Sequence, residues 1–139
     1  MFELHPQLKK DTAVVGDLEL CRVLLMNDQH FPWLILVPRR ENIREMFQLQ
    51  VQDQGLLLAE SANLGKAMVE YFKADKLNVA ALGNMVPQLH LHHIARFEDD
   101  PAWPKPVWGA LPAKPYAEKD LPELVVKLQT LFSGLGLKT

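Results

Sequence analysis

Val86-Pro87-Gln88-Leu89-His90-Leu91-His92-His93-Ile94-Ala95-Arg96 is the stretch on which the reading of this chain turns. Read as a strand, its period of two puts Gln88, His90 and His92 on one face and Leu89, Leu91 and His93 on the other. Same-face Cα atoms are then about 6.6 Å apart. Two imidazoles at that spacing can converge on one phosphorus, one attacking while the other donates to an oxygen or to the leaving group. A pKa near 6.5 leaves imidazole a neutral, nucleophilic nitrogen at neutral pH. A protonated second histidine would serve as general acid. The spacing alone equally allows a metal pair or no special role. No cysteine motif or second histidine pair completes a zinc set, although His30 or a carboxylate would add a ligand. His93, on the apolar face, reads as a hydrogen-bonded core or interface residue.

Upstream, Thr12 to Val15 and Leu18 to Met26 are β-prone runs around Gly16-Asp17, a hairpin signal. Asn27-Asp28-Gln29-His30 is turn-forming, and Trp33 to Val37 is a continuous apolar run stopped by Pro38. Asn42 to Leu49 holds one short helical turn. From Val51 to Phe72 apolar residues recur at helical spacing, which predicts one long amphipathic helix. Leu77 to Leu82 and Gln88 to Phe97 read as two strands around Gly83-Asn84. A last helix spans residues 120–133, with Asp120 at its start and Gly134 past its end. The pattern predicts an α+β fold, an antiparallel sheet of about five strands with helices on one face.

Prolines divide the chain. None falls between Pro38 and Pro87, whereas six of the ten lie from Pro101 to Pro122, with Trp103 and Trp108 among them. Such a segment cannot be regular helix or central strand, and its tryptophans need something to bury against. Asp99 to Lys119 therefore reads as an ordered, irregular strap over the domain or a partner. The 139 residues predict one domain, with a core at about residues 11–97, the strap at 99–119 and the last helix beyond it.

Composition narrows the function classes. With 15 basic and 17 acidic residues the chain lacks the charge of a nucleic-acid binder. No apolar run suits a membrane span, and the N-terminus does not read as a signal peptide. The single cysteine, Cys21, cannot form an internal disulfide, and a cytoplasmic location is expected. Gly-rich phosphate loops and dinucleotide fingerprints are absent, as is an acidic cluster for magnesium, so no cofactor is expected to be obligatory. Metal dependence stays open.

The stretch from Val86 to Arg96 resembles the signature of the histidine triad (HIT) superfamily, His-φ-His-φ-His-φ-φ with φ apolar. The order of elements before it is similar to that family, from about Asp11 to Arg96. The resemblance implies that His90, at the middle position, forms a nucleotidyl-histidine intermediate. His92, at the third, would contact the phosphate and assist the leaving group. Gln88 stands where the family has histidine: it can hydrogen-bond but cannot act as an acid. His93 at a φ position is a second departure. The resemblance further places Asn27 or Asp28 near the family's ribose acceptor, Asn84 and Met85 in the loop that touches phosphates, and Asn78 near the active site. Arg96 would lend positive charge, while Arg39 and Arg40 read as a solvated edge. Leu24, Met26 and Leu36 would line the base site.

The implied reaction is hydrolysis or transfer at the α-phosphorus of a nucleoside phosphoramidate or dinucleoside polyphosphate. A homodimer with sheets joined side by side is the implied assembly, with Trp103 and Trp108 of the strap at the subunit boundary or pocket rim. Two other readings stand beside it: a nucleotide-binding or regulatory module without efficient turnover, and a small metal-binding protein using His90 and His92.

Overall fold

The computed structural model describes residues 1–139. Five strands form one antiparallel sheet: β1 (Thr12–Asp17), β2 (Cys21–Met26), β3 (Trp33–Pro38), β4 (Lys76–Ala80) and β5 (Leu91–Arg96), in spatial order β1-β2-β3-β5-β4. Three helices accompany it: α1 (Pro6–Asp11), α2 (Val51–Phe72) and α3 (Asp120–Phe132). The α+β expectation, the long helix at its stated bounds and the C-terminal helix all hold. No helix is long and apolar enough to cross a membrane.

The long and C-terminal helices lie on one face of the sheet, and the N-terminal segment and the strap cover the other. Leu34, Leu36, Leu91 and Ala95 pack with Leu57, Leu64 and Met68 of α2 and with Leu128 and Phe132 of α3. Leu24, Trp33, Ile35 and Ile94 pack instead with Leu4 and Leu8 of the N-terminal segment and with Ala102 and Val107 of the strap. Every residue of β3 and β5 is consequently buried. That is why Trp33 to Val37 reads as an unbroken apolar run rather than an alternating one.

Three local differences have simple causes. The β1–β2 turn lies at Leu18–Leu20, and Gly16 sits inside β1 at a register shift between Val14 and Gly16. Glycine is needed there because a Cβ would come within 2.6 Å of the Lys138 carbonyl oxygen. β4 and β5 are joined by residues 81–90 rather than a tight turn, so Gln88 to His90 precede the strand. Finally, α1 was not foreseen, although His5 caps it by accepting from the Gln7 N–H and Pro6 opens it.

Candidate active site

His90 and His92 come together where the loop before β5 enters the strand. Their ring centroids lie 4.8 Å apart, edge to face, and both residues are buried. The hydrogen bond at each Nδ1 sets the proton position. His90 Nδ1 lies 2.7 Å from the Gln88 carbonyl oxygen, which can only accept. Nδ1 therefore carries the proton and Nε2 keeps its lone pair. His92 Nδ1 lies 3.0 Å from Trp33 Nε1, which can only donate. Here Nδ1 is the acceptor and Nε2 carries the proton. The pair is thus held in opposite tautomers, one with a free lone pair and one with an N–H donor.

Burial reinforces this assignment. It lowers the His90 pKa below 6.5; the Gln88 carbonyl opposes that shift and the neighbouring His5 adds to it. For His92, burial followed by repulsion from His90 and His93 brings the pKa down to about 3. Both rings are neutral at neutral pH. Protonation of His92, the condition for its acting as general acid, is not what this environment favours.

The side chain of Gln88 faces elsewhere. Its Oε1 accepts from the His5 N–H at 2.9 Å and its Nε2 donates to the Glu3 carbonyl at 2.8 Å. It staples the N-terminal segment beside the histidines, while its backbone carbonyl orients His90. His93 points to the helical face, where Nδ1 donates to the Leu91 carbonyl at 3.1 Å and Nε2 accepts from Ser61 Oγ at 2.7 Å. Burial lowers its pKa to about 4.

The remaining expected residues fall into three places. Asn27 and Asp28 sit in the turn after β2, clamped to the end of the strap. Tyr116 N–H donates to Asn27 Oδ1, and Asp28 Oδ1 accepts from the His30 N–H, the His30 ring and Lys114 N–H. Asn78 and Arg96 lie together but turned inward. Arg96 forms a two-pronged pair with Asp100 at 2.7 and 3.0 Å, donates to Asn78 Oδ1 at 2.8 Å, and is only 1% exposed. It also lies over the Phe31 and Trp103 rings. Each guanidinium nitrogen of Arg96, the residue expected to lend positive charge, is hydrogen-bonded within the chain. Asn84 is exposed in the loop after Gly83, whose φ of 76° marks the turn.

The strap closes the site. Trp108 stands edge-on to His92 at 5.1 Å and to Trp33 at 5.9 Å. Beside these rings a cleft of about 440 Å³ runs past Met26, Asn27 and Asp28 to Leu111. That volume suits a small ligand. Trp103 and Trp108 are half-buried and make aromatic and cation contacts within the chain, and Trp108 stands at the pocket rim, one of the two places expected for it. Trp33 and His5 are the neighbours that the sequence reading did not single out. The first begins a strand whose pairing partner is not visible in sequence; the second lies far from the histidine pair in the chain, and only the fold brings it alongside. No cluster of three or more His, Cys, Asp or Glu side chains forms a metal-holding group.

Residues 7–99 match the model of the HIT domain. The chain belongs to the histidine triad family. Similar solved structures agree along nearly the whole length. A histidine triad protein from Marinobacter aquaeolei VT8 shares 55% identity over 97% of this chain and 98% of its own, with a TM-score of 0.94. One from Bradyrhizobium japonicum shares 43% over 93% and 96%, at 0.89. One from Sinorhizobium meliloti 1021 shares 42% over 94% and 96%, at 0.90. Among curated proteins none matches. The strap and α3, which lie beyond the HIT domain match, are included in that structural likeness.

Proposed function

We propose that this HIT protein hydrolyses or transfers a nucleotidyl group at the α-phosphorus of a nucleoside phosphoramidate or dinucleoside polyphosphate. The observation that carries this reading is the pair of opposite tautomers. His90 offers Nε2 as nucleophile, and the positive charge it gains on attack is met by its Nδ1–H···O=C bond to Gln88. His92 offers an Nε2–H to a phosphoryl oxygen as charge develops there. Water then releases the nucleoside monophosphate from His90. The cleft beside Trp33 and Trp108 would take the nucleoside, with Asp28 at its edge as ribose acceptor. No step draws on Asn84, Asn78 or Arg96: the first is exposed in its loop, and the other two serve to brace β4, β5 and the strap.

The test is His90→Ala. Turnover of diadenosine polyphosphate or adenosine phosphoramidate should vanish while the melting temperature stays near that of the parent. A folded, active His90→Ala protein would remove the mechanism. One observation favours the second reading, a binding module: Gln88, which we read as standing at the first triad position, spends its side chain on the N-terminal backbone. Nucleotide-induced thermal stabilisation without any turnover would select it.

The assembly we propose is a homodimer joined along β4 and α2. β4 is an edge strand, and Phe47, Leu58 and Val79, which line one shallow depression beside it, are 79%, 72% and 48% exposed. Contiguous exposed apolar side chains of this kind mark an association surface. The setting we propose is the cytoplasm, in keeping with the lone, buried Cys21 thiol.

A further inference from the structure

We propose that the site selects nucleotides whose leaving group departs as an oxyanion, such as a phosphate or nucleoside phosphate, and discriminates against amine leaving groups. This deepens the nucleotidyl-His90 reading and rests on it. The reason is geometric: of the two histidines facing the reacting position, His90 is held as a nucleophile and His92 as a hydrogen-bond donor, and neither as an acid.

Trp33 decides the matter for His92. An indole N–H can only donate, and it points at Nδ1 from 3.0 Å. Protonating His92 would set N–H against N–H in a buried contact. Trp33 cannot turn away readily, since it lies in β3 paired opposite Ile94 and is wedged against Trp108. Burial and the neighbouring His90 and His93 act in the same direction. His5 turns its Nδ1 to the first turn of α1, where it accepts from the Gln7 N–H at 3.1 Å. Gln88 is an amide with both side-chain groups engaged. His93 faces α2 and is bonded to Ser61. His90 itself must be neutral to attack.

The chemistry follows with its protons counted. The His90 Nε2 lone pair forms an N–P bond, and the P–O bond to the leaving group breaks with its electrons on oxygen. No proton moves, and His90 becomes an N-phosphorylated imidazolium. Water then adds at phosphorus, the N–P bond breaks, and the surplus proton passes to solvent. An oxyanion such as phosphate leaves readily on these terms. An amine must gain a proton as it leaves, and neither His90 nor His92 is poised to give one. Trp33 is thus a positioning residue that sets leaving-group specificity through His92.

The experiment compares AMP aryl esters of graded phenol acidity with adenosine 5′-phosphoramidate, in the full-length protein at pH 7. Rates should fall steeply as the phenol becomes less acidic. The amine substrate should form the adenylyl-enzyme about 10²-fold or more slowly than the fastest ester, the contribution that a missing general acid makes. In Trp33→Phe the ring stays but the N–H goes, so His92 can take a proton and the gap should narrow. Nitrogen-15 NMR of the parent should show His92 with Nδ1 unprotonated, a readout that stands even where Trp33→Phe does not fold. Equal adenylylation by both classes, or His92 protonated at Nδ1, would overturn the inference and leave His90 catalysis standing. No adenylyl-enzyme from any substrate would overturn both.

Discussion

At the scale of single residues, His90 and His92 differ less in chemistry than in what touches their Nδ1 atoms. A carbonyl at one and an indole N–H at the other split two identical side chains into a nucleophile and a donor. The pH dependence follows. Neutral His90 is the reacting form, and its pKa is lowered chiefly by burial. Its active form persists to lower pH than an ordinary histidine's, so the acid limb of kcat/KM should have its midpoint below pH 6.5 and a plateau above it. A midpoint above 6.5 would contradict the assignment. Stability should show the same sign from another cause. His93 has a folded pKa of about 4 against about 6.5 unfolded. Its contribution is fully present above pH 6.5 and lost as pH falls towards 4, on the order of 3 kcal/mol. Urea denaturation at pH 7 and pH 4.5 should show that loss, and His93→Leu should reduce the difference. Gln88→Leu breaks two hydrogen bonds to the N-terminal segment, costing about 1–3 kcal/mol, but leaves the carbonyl that orients His90. Its kcat should fall far less than that of His90→Ala. An equal fall would mean that the Gln88 side chain itself works on His90.

Among the secondary-structure elements, the long helix was legible because twenty-two residues at helical spacing have no proline to interrupt them. β3 was legible as an apolar run and β5 from the period-two alternation around its histidines. α1 was not, since six residues give too little periodicity and only a capping pattern announces it. Arg96 shows a different limit. In sequence it is a cation after the histidines; in the fold it is a buried brace joining β5 to β4 and the strap. That brace sets a clear expectation. Burial alone would raise the Asp100 pKa, but Arg96 and the N–H groups of Phe97, Ala102 and Trp103 hold it down to about 2. Asp100→Asn should therefore cost about 3–5 kcal/mol, as breaking a buried pair does. A change under about 1 kcal/mol in urea denaturation would show the pair to be incidental.

For the whole molecule, the site is assembled from parts distant in the chain: His5, Trp33, the histidine pair and Trp108. Sequence spacing could place His90 and His92 together because they share one short segment. It could not place Trp33 opposite them, because pairing of β3 with β5 spans nearly sixty residues. Nor could it show that Trp108 folds back over His92. The apolar surface along β4 and α2 likewise emerges only in three dimensions. Light scattering at micromolar concentration should give a dimer, and Val79→Asp with Phe47→Glu should give a folded monomer. A parent protein that is monomeric at that concentration would exclude the proposed assembly. The central claim, a covalent nucleotidyl-His90, is tested most directly by rapid acid-free quench of the enzyme with a nucleotide labelled at the α-phosphorus. A burst of label approaching one equivalent per chain, mapping to His90 and absent from His90→Ala, is the expected result. Steady turnover with no labelled protein at any time, or label undiminished in His90→Ala, would contradict it.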